Sequence, residues 1–177
     1  VNCTNNTYTV GGTSDGASVS ISGSSVLGQM PSVGATYSFE ARYGDVVTLS
    51  AIKAGYTCTV SGSPITVGAA NITNANVSCA PNIYTVGGSV SGLSGTVVLQ
   101  NNGGDDLRIT ADGVYSFVTL MSVGSAYSVS VKAGSQPEGQ TCLVVNGTGT
   151  ATGNISNVSV NCTNNTYTVG GTSDGAS

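Results

Sequence analysis

The sequence has 177 residues, of which 39% are hydrophobic and 7% charged, with a net charge of −4. An ordinary soluble domain carries roughly 25% charged residues, so Asn, Ser, Thr and Gly must keep this surface hydrated. The four basic residues, Arg42, Lys53, Arg108 and Lys132, form no cluster, which argues against a nucleic-acid partner. No apolar run approaches the ~18–20 residues of a membrane-spanning helix, and the lack of histidine excludes CxxCH haem attachment, Cys/His zinc sites and histidine-activated nucleophiles.

The chain opens on VNCTNNTYTVGGTSDGAS, residues 1–18, and this stretch returns unchanged as residues 160–177. Such identity marks a window on a longer tandem array with a period of 159 residues. A weaker repeat lies inside it. Tyr8-Thr9-Val10-Gly11-Gly12 recurs as Tyr84-Thr85-Val86-Gly87-Gly88 and begins again at Tyr167. The expected division is residues 1–7 as the end of a preceding repeat plus linker, 8–79 as a first domain and 80–83 as a linker. Residues 84–162 form a second domain, and 163–177 a linker with the first strand of the next repeat. Linkers of four residues, one holding Pro81, leave little freedom between neighbours, so a stiff rod is expected.

The two domains match run by run. Val19 and Ile21 fall on Val97 and Leu99, and Tyr37 and Phe39 on Tyr115 and Phe117. Val47, Leu49 and Ala51 then fall on Tyr127, Val129 and Val131. The run from Tyr56 to Val60 falls on that from Gln140 to Val144, and Thr73, Ala75, Val77 and Cys79 on Ser156, Val158, Val160 and Cys162. Side chains two apart share one face of a strand. Six or seven short alternating runs per domain, separated by Gly, Asn, Asp and Ser, predict an all-β fold of tandem immunoglobulin-like antiparallel β-sandwiches. A small barrel is the alternative, and the missing tryptophan means that antibody topology is not implied.

Each domain places two cysteines on the inward parity of its last two runs. This predicts Cys58–Cys79 and Cys142–Cys162 disulfides and an oxidising, extracellular or cell-surface setting. Cys3 copies Cys162, so its partner is expected in the neighbouring repeat. Were the array instead made of strand-exchanged subunits, Val1, Cys3 and Tyr8 at one end and Val160, Cys162 and Tyr167 at the other would join them.

Candidate ligand groups are few. Asp105 and Asp106 of the Asn101-Asn102-Gly103-Gly104-Asp105-Asp106 loop, with Asp112, could offer oxygens to Ca²⁺. The bland reading is a Gly-containing turn, and no cofactor or metal is otherwise expected. Sequons at Asn2, Asn5, Asn71, Asn76, Asn146, Asn154, Asn157, Asn161 and Asn164 read as polar outward positions or glycosylation acceptors. The repeated tyrosines read as packing residues. No nucleophile has a base and no carboxylate pair recurs in both domains, so an enzyme with a small-molecule substrate is not expected.

YTVGG, VSGLSG, VVLQNNGGDDL, YSF, AYSVSVK and GQTC, ending at Cys162, give residues 84–162 a resemblance to bacterial immunoglobulin-like repeats of very large exported or surface proteins. Residues 8–79 resemble them more loosely, lacking VSGLSG and NNGGDDL. The resemblance implies extracellular stalks, adhesins and filaments, and brings no catalytic residues. The expected function is a structural repeat of an extracellular filament or giant surface stalk whose partners are neighbouring copies. The alternative is an adhesin module recognising a glycan or a host surface protein.

Overall fold

The computed structural model describes residues 6–23, 35–172 and 175. Val1, Asn2, Cys3 and Asn5, singled out above, lie outside the described residues. No helix occurs among the described residues, and the chain divides into two compact units, Val1–Asn82 and Ile83–Ser177.

The first unit holds β1 (Thr7–Thr13), β2 (Ser18–Gly23), β3 (Thr36–Arg42), β4 (Val46–Ile52), β5 (Tyr56–Val60), β6 (Ile65–Thr66) and β7 (Val77–Pro81). Strand β1 pairs with β3, β4 lies between β2 and β6, and β5 pairs with β7, all antiparallel. Alternation does the sorting. In β3, Tyr37, Phe39 and Ala41 are buried while Thr36, Ser38 and Glu40 face water. These residues meet Val10, Val19, Val47, Leu49, Val67 and Val77 in one core, and each large apolar side chain so buried contributes about 1.5–3 kcal/mol.

The second unit holds β8 (Ile83–Tyr84), β9 (Val86–Ser91), β10 (Val97–Asn101), β11 (Gly104–Ile109), β12 (Gly113–Ser116) and β13 (Met121–Ser122). It continues with β14 (Ala126–Val131), β15 (Gln140–Val145), β16 (Thr148–Thr150) and β17 (Ile155–Asn164). One sheet runs β11-β10-β14-β16, another β12-β9-β17-β15, with a short β13–β8 pair beside them. Val97, Leu99, Tyr127 and Val129 of the first sheet and Val86, Val90, Val158 and Val160 of the second share one core. The Asn101–Asp106 loop is a hairpin turn. Asn102 and Gly103 adopt φ of 54° and 72°, the left-handed pair of a two-residue turn, for which Asn-Gly is the preferred sequence.

Residues of the expected linkers take part in the strands they follow. Ala80 and Pro81 continue β7 opposite Thr57 and Tyr56, and Thr163 and Asn164 continue β17 opposite Thr141 and Gln140. The N–H of Asn82 then donates to Gly55 O (2.9 Å), as that of Asn165 does to Gly139 O (2.8 Å). Their side chains repeat the match: Thr57 Oγ1 donates to Asn82 Oδ1 at 2.8 Å and Thr141 Oγ1 to Asn165 Oδ1 at 2.7 Å. Asn82 is thus the last bonded residue of the first unit, and the next residue, Ile83, already begins β8 of the second.

Candidate functional site

The most repeated geometry lies where the first strand of each unit meets its exit segment. In the second unit β9 and β17 run parallel, with Val86 opposite Ile155, Gly88 opposite Val158, Ser89 opposite Ser159, Val90 opposite Val160 and Ser91 opposite Asn161. In the first, Val10 forms a parallel bridge with Ile72. Gly11 N–H donates to Ile72 O and Ile72 N–H to Thr9 O, both at 2.8 Å, and Ala75 N–H to Gly11 O at 3.1 Å. First and last segments are therefore neighbours in both units.

The Gly-Gly of the repeated motif makes this approach possible. A Cβ on Gly87 would fall 2.2 Å from Tyr115 O, and one on Gly88 1.7 Å from Val158 O. In the first unit Gly11 faces Tyr37 O at 2.3 Å and Gly12 faces Ala75 O at 2.5 Å. The first glycine thus admits the antiparallel neighbour and the second the exit segment, each at a distance no side chain permits.

Asparagines reinforce the joint. Thr9 N–H donates to Asn71 Oδ1 (3.0 Å) and Thr85 N–H to the matching Asn154 Oδ1 (3.1 Å). Thr13 N–H donates to Asn76 Oδ1 and Ser91 Oγ to Asn161 Oδ1, both at 3.0 Å. Asp15, in the turn after β1, accepts the N–H of Cys79 at 2.9 Å. Several sequon asparagines are thus engaged in closing the fold.

The matched tyrosines belong to the same joint. The Tyr37 hydroxyl donates to Ala75 O, and the Tyr115 hydroxyl to Val158 O at 3.3 Å. The carbonyl that each second glycine approaches is thus also held by a phenol. Burial pushes the Tyr115 pKa up to about 12 and raises that of Tyr37. A phenol whose pKa is higher folded than unfolded contributes stability that is full below pH ~10 and is lost as pH rises toward the folded value. The urea midpoint of the second unit is therefore expected to fall between pH 10 and 11.5, and to fall less steeply in Tyr115→Phe. Equal slopes in the two proteins would contradict this role for the phenol.

Both predicted intradomain cysteine pairs are bonded, Cys58 to Cys79 and Cys142 to Cys162, at directly opposed positions of β5–β7 and β15–β17. Each ties the exit strand to its other neighbour. Around Cys142 the amide of Gln136 forms a pair of bonds, accepting from Cys142 N–H (2.7 Å) and donating to Cys142 O (3.0 Å). Buried Gln140 accepts from Ser94 N–H and donates to Gly92 O and Asn164 Oδ1, fastening the β9–β10 loop to the exit strand.

Of the three acidic residues weighed for Ca²⁺, Asp106 and Asp112 are engaged with separate partners. Asp106 accepts from Lys132 and from Gln100 at 2.7 Å, and these bonds hold its carboxyl below the usual range. Asp112 accepts the N–H groups of Gly92 (2.9 Å) and Leu93 (2.8 Å). Asp105 stands in β11 with one shielded oxygen that meets no donor. Among the described residues no three His, Cys, Asp or Glu side chains gather as a metal site. Of the residues assigned above to assembly, Tyr8 is half-buried, Val160 and Cys162 are buried in the second unit, and Tyr167 is exposed.

The units differ at the edge strand. From Val10, opposite Phe39, to Tyr8, opposite Ala41, β3 advances two residues. From Phe117, whose N–H donates to Val86 O, to Met121, opposite Tyr84, the second unit advances four. The extra residues bring out Val118 and Leu120 where the first unit has Glu40, and Val114 is exposed where it has Thr36. In comparisons with known proteins, no family model and no curated protein matches the chain.

Proposed function

We propose that this chain is the two-domain structural repeat of an extracellular filament or giant surface stalk, built of immunoglobulin-like β-sandwiches in series. The observation that carries this reading is the parallel pairing of first and exit strands. Tension along such an array enters a unit at the start of its first strand and leaves at the end of its last. In a parallel pair those points lie at opposite ends, so the pull shears the ladder and loads its hydrogen bonds together. An antiparallel terminal pair would instead open one bond at a time. The Cys142–Cys162 bond passes the load on to β15. Pinned exit residues and a few-charge surface suit a passive mechanical element, and disulfides suit an oxidising exterior.

Stretching the chain by its ends tests the proposal. The second unit is expected to rupture at a force several-fold above that for pulling it open through β12 and β15. Equal forces in the two directions would sink the shear reading. The reduced, denatured polypeptide from the native source is expected to far exceed 17.4 kDa. A species near that mass would rule out a continuous array.

A further inference from the structure

A cleft of about 320 Å³ opens in the first unit, between β6 with the turn before it and the exit segment that precedes β7. That volume lies at the lower end of the ~300–1,000 Å³ typical of small-molecule sites. Its apolar wall is Pro64, buried Ile65 and half-buried Ile72. Its polar side chains are Ser61, Thr66 and Asn74, and none of the three makes a side-chain hydrogen bond among the described residues. Asn74 departs here from the asparagines on either side of it, since Asn71 and Asn76 both hold backbone N–H groups of β1.

The second unit bridges the corresponding place. With the units aligned as above, Gly62 falls on Asn146 and Asn74 on Asn157. Gly62 and Asn146 share the left-handed backbone, at φ of 74° and 56°. The Asn146 amide reaches across and donates to Asn157 O at 3.3 Å. Gly62 has no side chain to do so, and a Cβ on it would meet nothing within 4 Å. The opening therefore belongs to the first unit.

The lining selects a class of ligand. None of its residues is charged, so an ionic group would lose its hydration without gaining a counter-charge. A wholly apolar ligand would take three polar side chains from water and give them no partner. Hydroxyls and a carboxamide both donate and accept, and here they face an aliphatic wall. A neutral sugar has the same two-sided character, with hydroxyls around its rim and C–H groups on its ring face. We propose that this cleft binds one or two rings of a neutral saccharide, with Ser61, Thr66 and Asn74 meeting its hydroxyls and Pro64 and Ile72 its apolar face. In the tandem array proposed above the site recurs every 159 residues, and weak single sites gain avidity by such repetition. Failure of the site would leave the mechanical reading standing, because stretching interrogates the second unit.

The test is an amide-resolved NMR titration of the full chain with lactose, maltose, cellobiose and diacetylchitobiose, with glucuronic and galacturonic acids as charged comparators. Saturable shifts are expected at Ser61, Gly62, Thr66 and Asn74 with at least one neutral disaccharide and with neither acid. Gly62→Asn rebuilds the bridge of the second unit on a backbone that Asn tolerates. It is expected to abolish the shifts while leaving the urea midpoint unchanged. Asn74→Ala, which keeps the cleft open, is expected to weaken binding roughly tenfold, as loss of one well-made hydrogen bond does. Shifts that are absent with all the neutral sugars, that fall elsewhere on the chain, that survive in Gly62→Asn or that are stronger with the acids overturn the proposal.

Discussion

Alanine in place of Gly88 is expected to destabilise the second unit by about 3 kcal/mol or more, since overpacking a tight site commonly costs 1–3 kcal/mol and backbone obstruction exceeds that. The added methyl would lie 1.7 Å from Val158 O and 2.5 Å from its carbonyl carbon. These are backbone atoms at the centre of the β9–β17 pair, so no side-chain rotation relieves the contact. The strands must separate, and the Tyr115 hydroxyl bond to the same carbonyl is lost with them. Chemical denaturation should show the loss as a lowered midpoint, and end-to-end stretching as a lower rupture force. Ser89→Ala, next along the strand but facing outward, is the control and should change stability by no more than about 0.5 kcal/mol. A Gly88→Ala chain with an unchanged midpoint would show that the close approach is not what holds the unit shut.

Removing the Cys142–Cys162 bond should have a similar effect by another route. The bond closes a loop of sequence separation 20, and loops near that size stabilise by about 3 kcal/mol through the entropy removed from the unfolded chain. A domain of this length is stable by only about 0.05–0.15 kcal/mol per residue, so a large fraction of the total is at stake. The Cys142→Ala/Cys162→Ala chain is expected to lose 2–5 kcal/mol in denaturant, the range for small stapled domains. Its extension on forced unfolding should also lengthen. The 20 residues spanned by the bond stay locked while it is intact and add up to about 70 Å once released, at ~3.6 Å per residue. An unchanged extension would mean that the bond is not closed in the working protein.

The alternation of Tyr37 with Phe39 and of Val47 with Leu49 has the period of a strand, and burial follows it in β3 and β4. The cysteine pairs were legible for the same reason, since inward parity and repeated spacing leave one pairing per unit. The motif Tyr-Thr-Val-Gly-Gly was visible as a repeat, but its purpose was not. A glycine needed for φ > 0 and one needed for close approach look alike in a sequence, and only the opposing Tyr115 and Val158 carbonyls tell them apart. Pro81 and Asn164 read as parts of the short linkers. Each in fact sits in the last stretch of an exit strand, where the partner strand rather than local propensity decides the conformation. The two additional residues around Val118 were countable, because Phe39 to Val46 is shorter by two than Phe117 to Ala126. Nothing in the count said that they would leave the edge and expose valine and leucine.

The neighbouring of first and exit strands also governs the order in which the protein can fold. Thr85 meets Asn154 across 69 residues, and so long a closure loses chain entropy before any contact compensates it. A nascent second unit cannot seal until its final strand has emerged. At synthesis rates of about 5–20 residues per second its first strand waits for several seconds, and Cys142 waits for Cys162. Closure therefore follows chain growth, and the second unit completes only after its own last strand appears.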